Sequence, residues 1–93
     1  MPTPLYVVAY DISDHRLRAR VARCLEGAGV RVQESVFECR LRDAEMRAVV
    51  RRLRADLREG DGLRVYALGL SGDARVERIG GPPVPQDERV LFA

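Results

Sequence analysis

The chain has 93 residues, room for one domain, and its 46% hydrophobic and 32% charged residues exclude a disordered chain and fit a soluble globule. All 16 basic residues are arginine, yet the formal net charge is only +2, so a nucleic-acid partner has to be argued from where the arginines sit. Cys24, Cys39 and His15 lack the spacing of a zinc site, and two cysteines are too few for a disulfide scaffold.

Leu5 to Tyr10 is a short apolar run of strand formers that stops at Asp11. Ser13 or Asp14 is placed to cap a helix from Arg16 to Ala28. Leu17, Val21, Cys24, Leu25 and Ala28 share one face of it, and Gly29 reads as its C-cap. Val30 to Leu41 alternates as a hairpin, with a change of parity at Glu34-Ser35 that places the turn there. A second helix from Asp43 to Arg58 carries Met46, Val49, Val50, Leu53 and Leu57 on one face. Leu63 to Leu70 is another strand, Arg75 to Ile79 a short one, and Arg89 to Phe92 a terminal extended piece.

The order β-α-β-β-α-β with a C-terminal extra strand predicts an α+β, ferredoxin-like sandwich. Residues 1–81 form that domain and 82–93 a C-terminal extension. On the first strand Leu5, Val7 and Ala9 face one side while Tyr6, Val8 and Tyr10 face the other, so both faces are apolar. Helices cover only one face in this fold, and a homodimer packed sheet to sheet is the economical cover for the other. The extension would then reach the partner's sheet edge. No segment is long enough to span a bilayer and no signal-peptide pattern is present, which gives the expectation of a cytoplasmic protein with reduced thiols.

Asp11 is the most informative single residue, since a carboxylate at the end of an apolar strand calls for a counter-charge or a metal. One carboxylate is too few for magnesium, but a symmetric dimer would bring two, with water and a substrate phosphate completing the shell. The competing reading, that Asp11 only caps the first helix or its preceding turn, is favoured by spacing alone. Asp14 reads as a cap, His15 as a lone loop histidine, and Ser35 lacks the surroundings of a nucleophile. No Walker A loop or Gly-x-Gly-x-x-Gly is present. Arg47, Arg51, Arg54 and Arg58 form a stripe on the second helix, and Arg16, Arg20 and Arg23 a shorter one on the first. Through residue 58 there are twelve arginines against eight acids, and in the remainder four against six. The modest net charge therefore averages a basic helical layer with an acidic tail, and guanidinium forks match phosphate.

Val8-Ala-Tyr-Asp-Ile-Ser-Asp14, Leu17-Arg-Ala-Arg-Val21 and Arg31-Val-Gln-Glu-Ser-Val-Phe-Glu38 together resemble the CRISPR-associated protein 2 family. The resemblance extends over the length, the element order, an Arg-Val-Tyr-Ala-Leu strand at Arg64 to Leu68 and a Gly-Pro-containing tail. It implies a ferredoxin-like homodimer, Mg²⁺, and metal-assisted cleavage of phosphodiester bonds in RNA or DNA during spacer acquisition. Residue by residue, it implies that Asp11 is the metal residue, one from each protomer, with Tyr10 beside it in the catalytic centre. Arg18, Arg20, Arg31 and Phe37 match positions for substrate handling or site integrity, and with the resemblance the metal reading of Asp11 overtakes the cap reading. The alternative it carries is a non-catalytic DNA-binding scaffold that bridges integrase dimers. In that role Arg47, Arg51 and Arg54 hold the duplex and the tail docks the integrase subunit. A third reading is a toxin-like ribonuclease of similar fold outside any CRISPR system.

Overall fold

Seven elements follow one another along the chain in the computed structural model, which describes residues 3–68 and 74–83. They are β1 (Leu5–Asp11), α1 (His15–Glu26), β2 (Val30–Gln33), β3 (Val36–Arg40), α2 (Asp43–Asp56), β4 (Gly62–Leu68) and β5 (Ala74–Ile79). The strands make one antiparallel sheet in the order β2-β3-β1-β4-β5, the ferredoxin-like arrangement with β5 added beside β4. The expected end of β4 at residues 69 and 70 and the expected terminal strand at 89–92 lie outside the described residues, as does most of the 82–93 extension.

The core follows from the parity of β1. Tyr6, Val8 and Tyr10 are buried and stand in register with Cys39 and Phe37 of β3 on one side and with Ala67, Val65 and Leu63 of β4 on the other. Leu17, Val21 and Leu25 of α1 and Met46, Val50 and Leu53 of α2 pack on that same face, so both helices lie on one side of the sheet. Each buried aliphatic or aromatic side chain there stabilises the fold by roughly 1.5–3 kcal/mol in removing apolar surface from water. The other face of β1, made of Leu5, Val7 and Ala9, is half-buried within its own sheet and, among the described residues, has no helix over it. Val36, Tyr66 and Val76 share that open face through the register of the neighbouring strands.

Helix ends differ from the expectation at two places. Helix α1 stops at Glu26 with Gly27 as its C-cap rather than running to Ala28. Gly29 instead admits a close approach between strands, since a Cβ there would lie 2.3 Å from the Glu38 carbonyl oxygen and 2.7 Å from Cys39 Sγ. The chain enters β2 hard against β3, and only glycine permits that approach. Helix α2 ends at Asp56, where Leu57 turns to extended backbone, two residues short of Arg58. The N-cap of α1 is Asp14, whose Oδ2 accepts from the Leu17 amide at 2.8 Å. The hairpin turns at Glu34-Ser35, and β5 begins one residue before the expected Arg75. No described helix is long and apolar enough to cross a membrane.

Candidate active site

Asp11 is the last residue of β1, exposed, and opposite Gly62 on the open face of the sheet. Its position follows from alternation, because it continues the series Leu5, Val7, Ala9 past the point where the apolar run ends. Beside it lies a recess of about 170 Å³, lined among others by Asp11, Gly60, Gly62, Arg64, Gly80 and Gly81. The glycines make this corner low and open. Gly80 has φ 68°, and a Cβ on it would sit 2.1 Å from the Asp61 carbonyl oxygen, so no other residue lets the β5 exit pass so close to the start of β4.

The loop after Asp11 is held from below by two groups. Asp61 is a buried carboxylate, 7% exposed, that accepts from the Arg58 amide at 2.9 Å and from the Ser13 amide at 3.4 Å. It ties the turn before β4 to the loop before α1, which leaves Asp11 between two fixed segments. Arg18 donates from Nη1 to the Ile12 carbonyl at 2.9 Å, a charge-assisted bond on the residue next to Asp11. Asp14 belongs to the same corner, with Arg58 Nη1 at 3.7 Å from its Oδ1. The Leu17 amide, and then the Arg58 guanidinium, hold its carboxyl below the ordinary carboxylate range.

The expected site residues fall in three places. Asp11 stands at the recess with Arg18 behind it. Tyr10 is 6% exposed and points to the helix side, away from the Asp11 face. Its hydroxyl donates to the Glu34 carbonyl at 3.4 Å, and its ring stacks on Phe37 with centroids 6.3 Å apart. Phe37 is fully buried and carries the Arg31 guanidinium 5.2 Å from its ring centroid. Tyr10, Phe37 and Arg31 therefore form one stack under the β2–β3 hairpin, a cation–π contact capping an aromatic pair. The third place is the helical layer, where Arg20 lines recesses between the helices together with Arg23, Arg52 and Arg58.

Arg47, Arg51 and Arg54 lie exposed along α2. The stripe is partly neutralised within its own helix: Arg47 Nη2 lies 2.5 Å from Asp43 Oδ2, an i, i+4 pair. Asp43 also accepts from the Tyr6 hydroxyl at 3.0 Å, and these two bonds, Tyr6 first, hold its carboxyl below the ordinary range. Asp61 is not legible as a site residue in the sequence because the partner that ties it to this corner, the Ser13 amide, lies in another loop 48 residues away. Nor is Arg64, because only the strand register brings it beside Asp11.

Among the described residues no three His, Cys, Asp or Glu side chains gather as a metal cage. The recess supplies one exposed carboxylate, which fits magnesium only as a share of a site, since that ion takes one or two carboxylates and completes its shell with water and phosphate.

The model of the CRISPR-associated protein Cas2 family matches residues 4–76. A protein of Chloroflexus aurantiacus named CRISPR-associated endoribonuclease Cas2 1 is 39% identical over 94% of this chain and 96% of its own. One of Thermus thermophilus named CRISPR-associated endonuclease Cas2 2 is 42% identical over 88% of each. The crystal structure of Streptococcus pyogenes Cas2 at pH 6.5 superimposes with a TM-score of 0.65 and 34% identity, over 70% of this chain and 86% of that one. Matched over most of its length in sequence and in fold, the chain belongs to the Cas2 family of CRISPR-associated proteins.

Proposed function

We propose that the chain is a homodimeric endonuclease of the CRISPR system that hydrolyses phosphodiester bonds of RNA or DNA with a divalent metal, Mg²⁺ by its chemistry. The observation that supports it most is the setting of Asp11: an exposed carboxylate at the tip of an apolar sheet face that no described element covers. Leu5, Val7, Ala9 and Val36 on that face are what a second copy would bury. Packing two such faces would bring the Asp11 side chains of the two protomers to one site and complete what a single protomer offers by half. An ion held there by the Asp11 carboxylates would supply Lewis-acid polarisation of the phosphodiester and would acidify the attacking water.

The chain's own residues do the rest. Asp11 contributes a carboxylate anion to the site. Arg18 and Asp61 fix the loop that follows, so that this carboxylate is presented rather than mobile. Tyr10 acts by position: its ring anchors the end of β1 to Phe37, and Arg31 closes that stack from the edge. Arg20 and the exposed arginines of α2 supply forks for phosphate oxygens. An Asp11→Asn protein keeps its fold and loses magnesium-dependent cleavage of RNA and duplex DNA; cleavage that persists at the wild-type rate sinks the assignment.

A second reading draws on the helical layer. Arg51 and Arg54 have no ion pair among the described residues, which suits a non-catalytic scaffold that binds duplex DNA and bridges integrase dimers through residues 82–93. Under this reading the Asp11→Asn protein still supports spacer integration by the integrase, and an Arg51→Gln/Arg54→Gln protein does not.

A further inference from the structure

Arg64 and Arg78 face each other directly across the β4–β5 ladder. Both lie on the open face of the sheet, because Arg64 is in register with Ala9 and so shares its parity with Asp11. Like charges in directly opposed positions, with Cβ atoms about 5 Å apart, destabilise a strand pair unless something offsets them. Part of the offset is visible. Arg64 Nη2 donates to the Pro82 carbonyl, and Arg78 Nη1 donates to the Gly81 carbonyl at 3.2 Å. Each guanidinium has five N–H donors, so the carbonyls of this turn occupy a minority of them. Neither arginine has a carboxylate within ion-pair distance among the described residues. The turn that orients the pair is the same Gly80–Gly81 segment that walls the recess beside Asp11, and Arg64 lines that recess.

We propose that Arg64 and Arg78 form a seat for a phosphate of the bound nucleic acid, on the Asp11 face and beside the phosphodiester to be cut. The inference rests on the reading of Asp11 as a phosphodiester-processing centre and adds residues that hold the substrate there. The chemistry is that of a phosphodiester monoanion: two planar forks, their direction fixed by backbone carbonyls, present the remaining donors toward one anion. The carbonyls offset part of their mutual repulsion, and that anion offsets the rest. Arg64 and Arg78 are thus substrate-positioning residues on the sheet, separate from the arginine rows of the helices.

The test uses the full chain and two probes, a labelled single-stranded RNA and a labelled DNA duplex. Binding is measured in an Asp11→Asn background across a salt series, so that cleavage does not intervene. Replacing both arginines by glutamine is expected to lower the slope of log K against log salt by about 0.7 on the single strand or about 0.9 on the duplex, the value for one phosphate no longer neutralised. Arg64→Lys/Arg78→Lys is expected to restore the slope but not the full affinity, because lysine keeps the charge and loses the fork. In the Asp11 protein the glutamine pair raises KM with little change in kcat, the pattern of lost uniform binding. An unchanged salt slope overturns the proposal, and so does loss of the dimer with the slope intact, which would assign the pair to the contact between copies. Should the wild type not cleave at all, the nuclease reading falls while the binding series still decides this seat. If Asp11→Asn abolishes cleavage and the glutamine pair binds as before, the nuclease reading stands and the seat falls.

Discussion

Three aspartates near the end of β1 carry the same charge and differ in what they hold. The Asp61 carboxylate is buried and accepts from two backbone amides, those of Arg58 and Ser13. Asp61→Ala strands both donors, and a buried donor without a partner costs about 1–3 kcal/mol, so urea denaturation should show a loss of at least that size. Asp11 is exposed and makes no such bonds among the described residues, and Asp11→Asn is expected to leave stability within about 0.5 kcal/mol by the same measurement. The Asp14 charge makes a contribution that varies with pH. Folding lowers its pKa, chiefly through the Leu17 amide, so its charge stabilises the protein above the unfolded-state pKa. That contribution disappears as pH falls through the folded value. Asp14→Asn keeps a cap and removes the charge; its melting temperature should lie below the wild type's at neutral pH, and the gap should close in acid. A gap that widens in acid would contradict the assignment.

At the level of elements, alternation and helical spacing made most of the fold legible. The two-faced β1, the turn at Glu34-Ser35 and the Asp14 cap all followed from local pattern, because each depends on residues adjacent in the chain. The same alternation separates Tyr10 from Asp11, and it outweighs their adjacency in sequence. What local pattern does not hold is register. Nothing near Arg64 says that Arg78 stands opposite, and nothing near Asp61 points to Ser13. The α2 stripe is an intermediate case, since Asp43 was one helical turn away from Arg47 and could have been paired with it by spacing. That pairing has a measurable consequence for duplex DNA. Arg51→Gln/Arg54→Gln should flatten the salt dependence of binding by about 1.8 in slope. Arg47→Gln should change it by less than half as much, because its charge is already shared with Asp43. Equal effects at all three positions would mean that the pair opens when nucleic acid binds.

The molecule as a whole has one finished face and one unfinished face. Helices α1 and α2 bury Tyr6, Val8 and Tyr10, while Leu5, Val7, Ala9, Val36, Tyr66 and Val76 have no layer above them among the described residues. On the proposed reading this face packs against a second copy, and a two-fold axis is the simplest operator that covers it in both. Under that operator the number of active sites becomes measurable. If each dimer builds one site from two Asp11 carboxylates, then refolding equal amounts of wild-type and Asp11→Asn subunits leaves only the all-wild-type dimers active. With random pairing these are about one quarter of the total, so metal-dependent cleavage should fall to about one quarter of that of an all-wild-type sample. If each protomer carries a complete site, the mixture retains about one half. Val7→Glu adds the complementary measurement, because it places a charge on the open face without touching the helix-side core. Sedimentation should then show a folded monomer, and cleavage should be lost although Asp11 is intact. A monomer that still cleaves at the dimer's rate would show that one carboxylate suffices and that the uncovered face serves another partner.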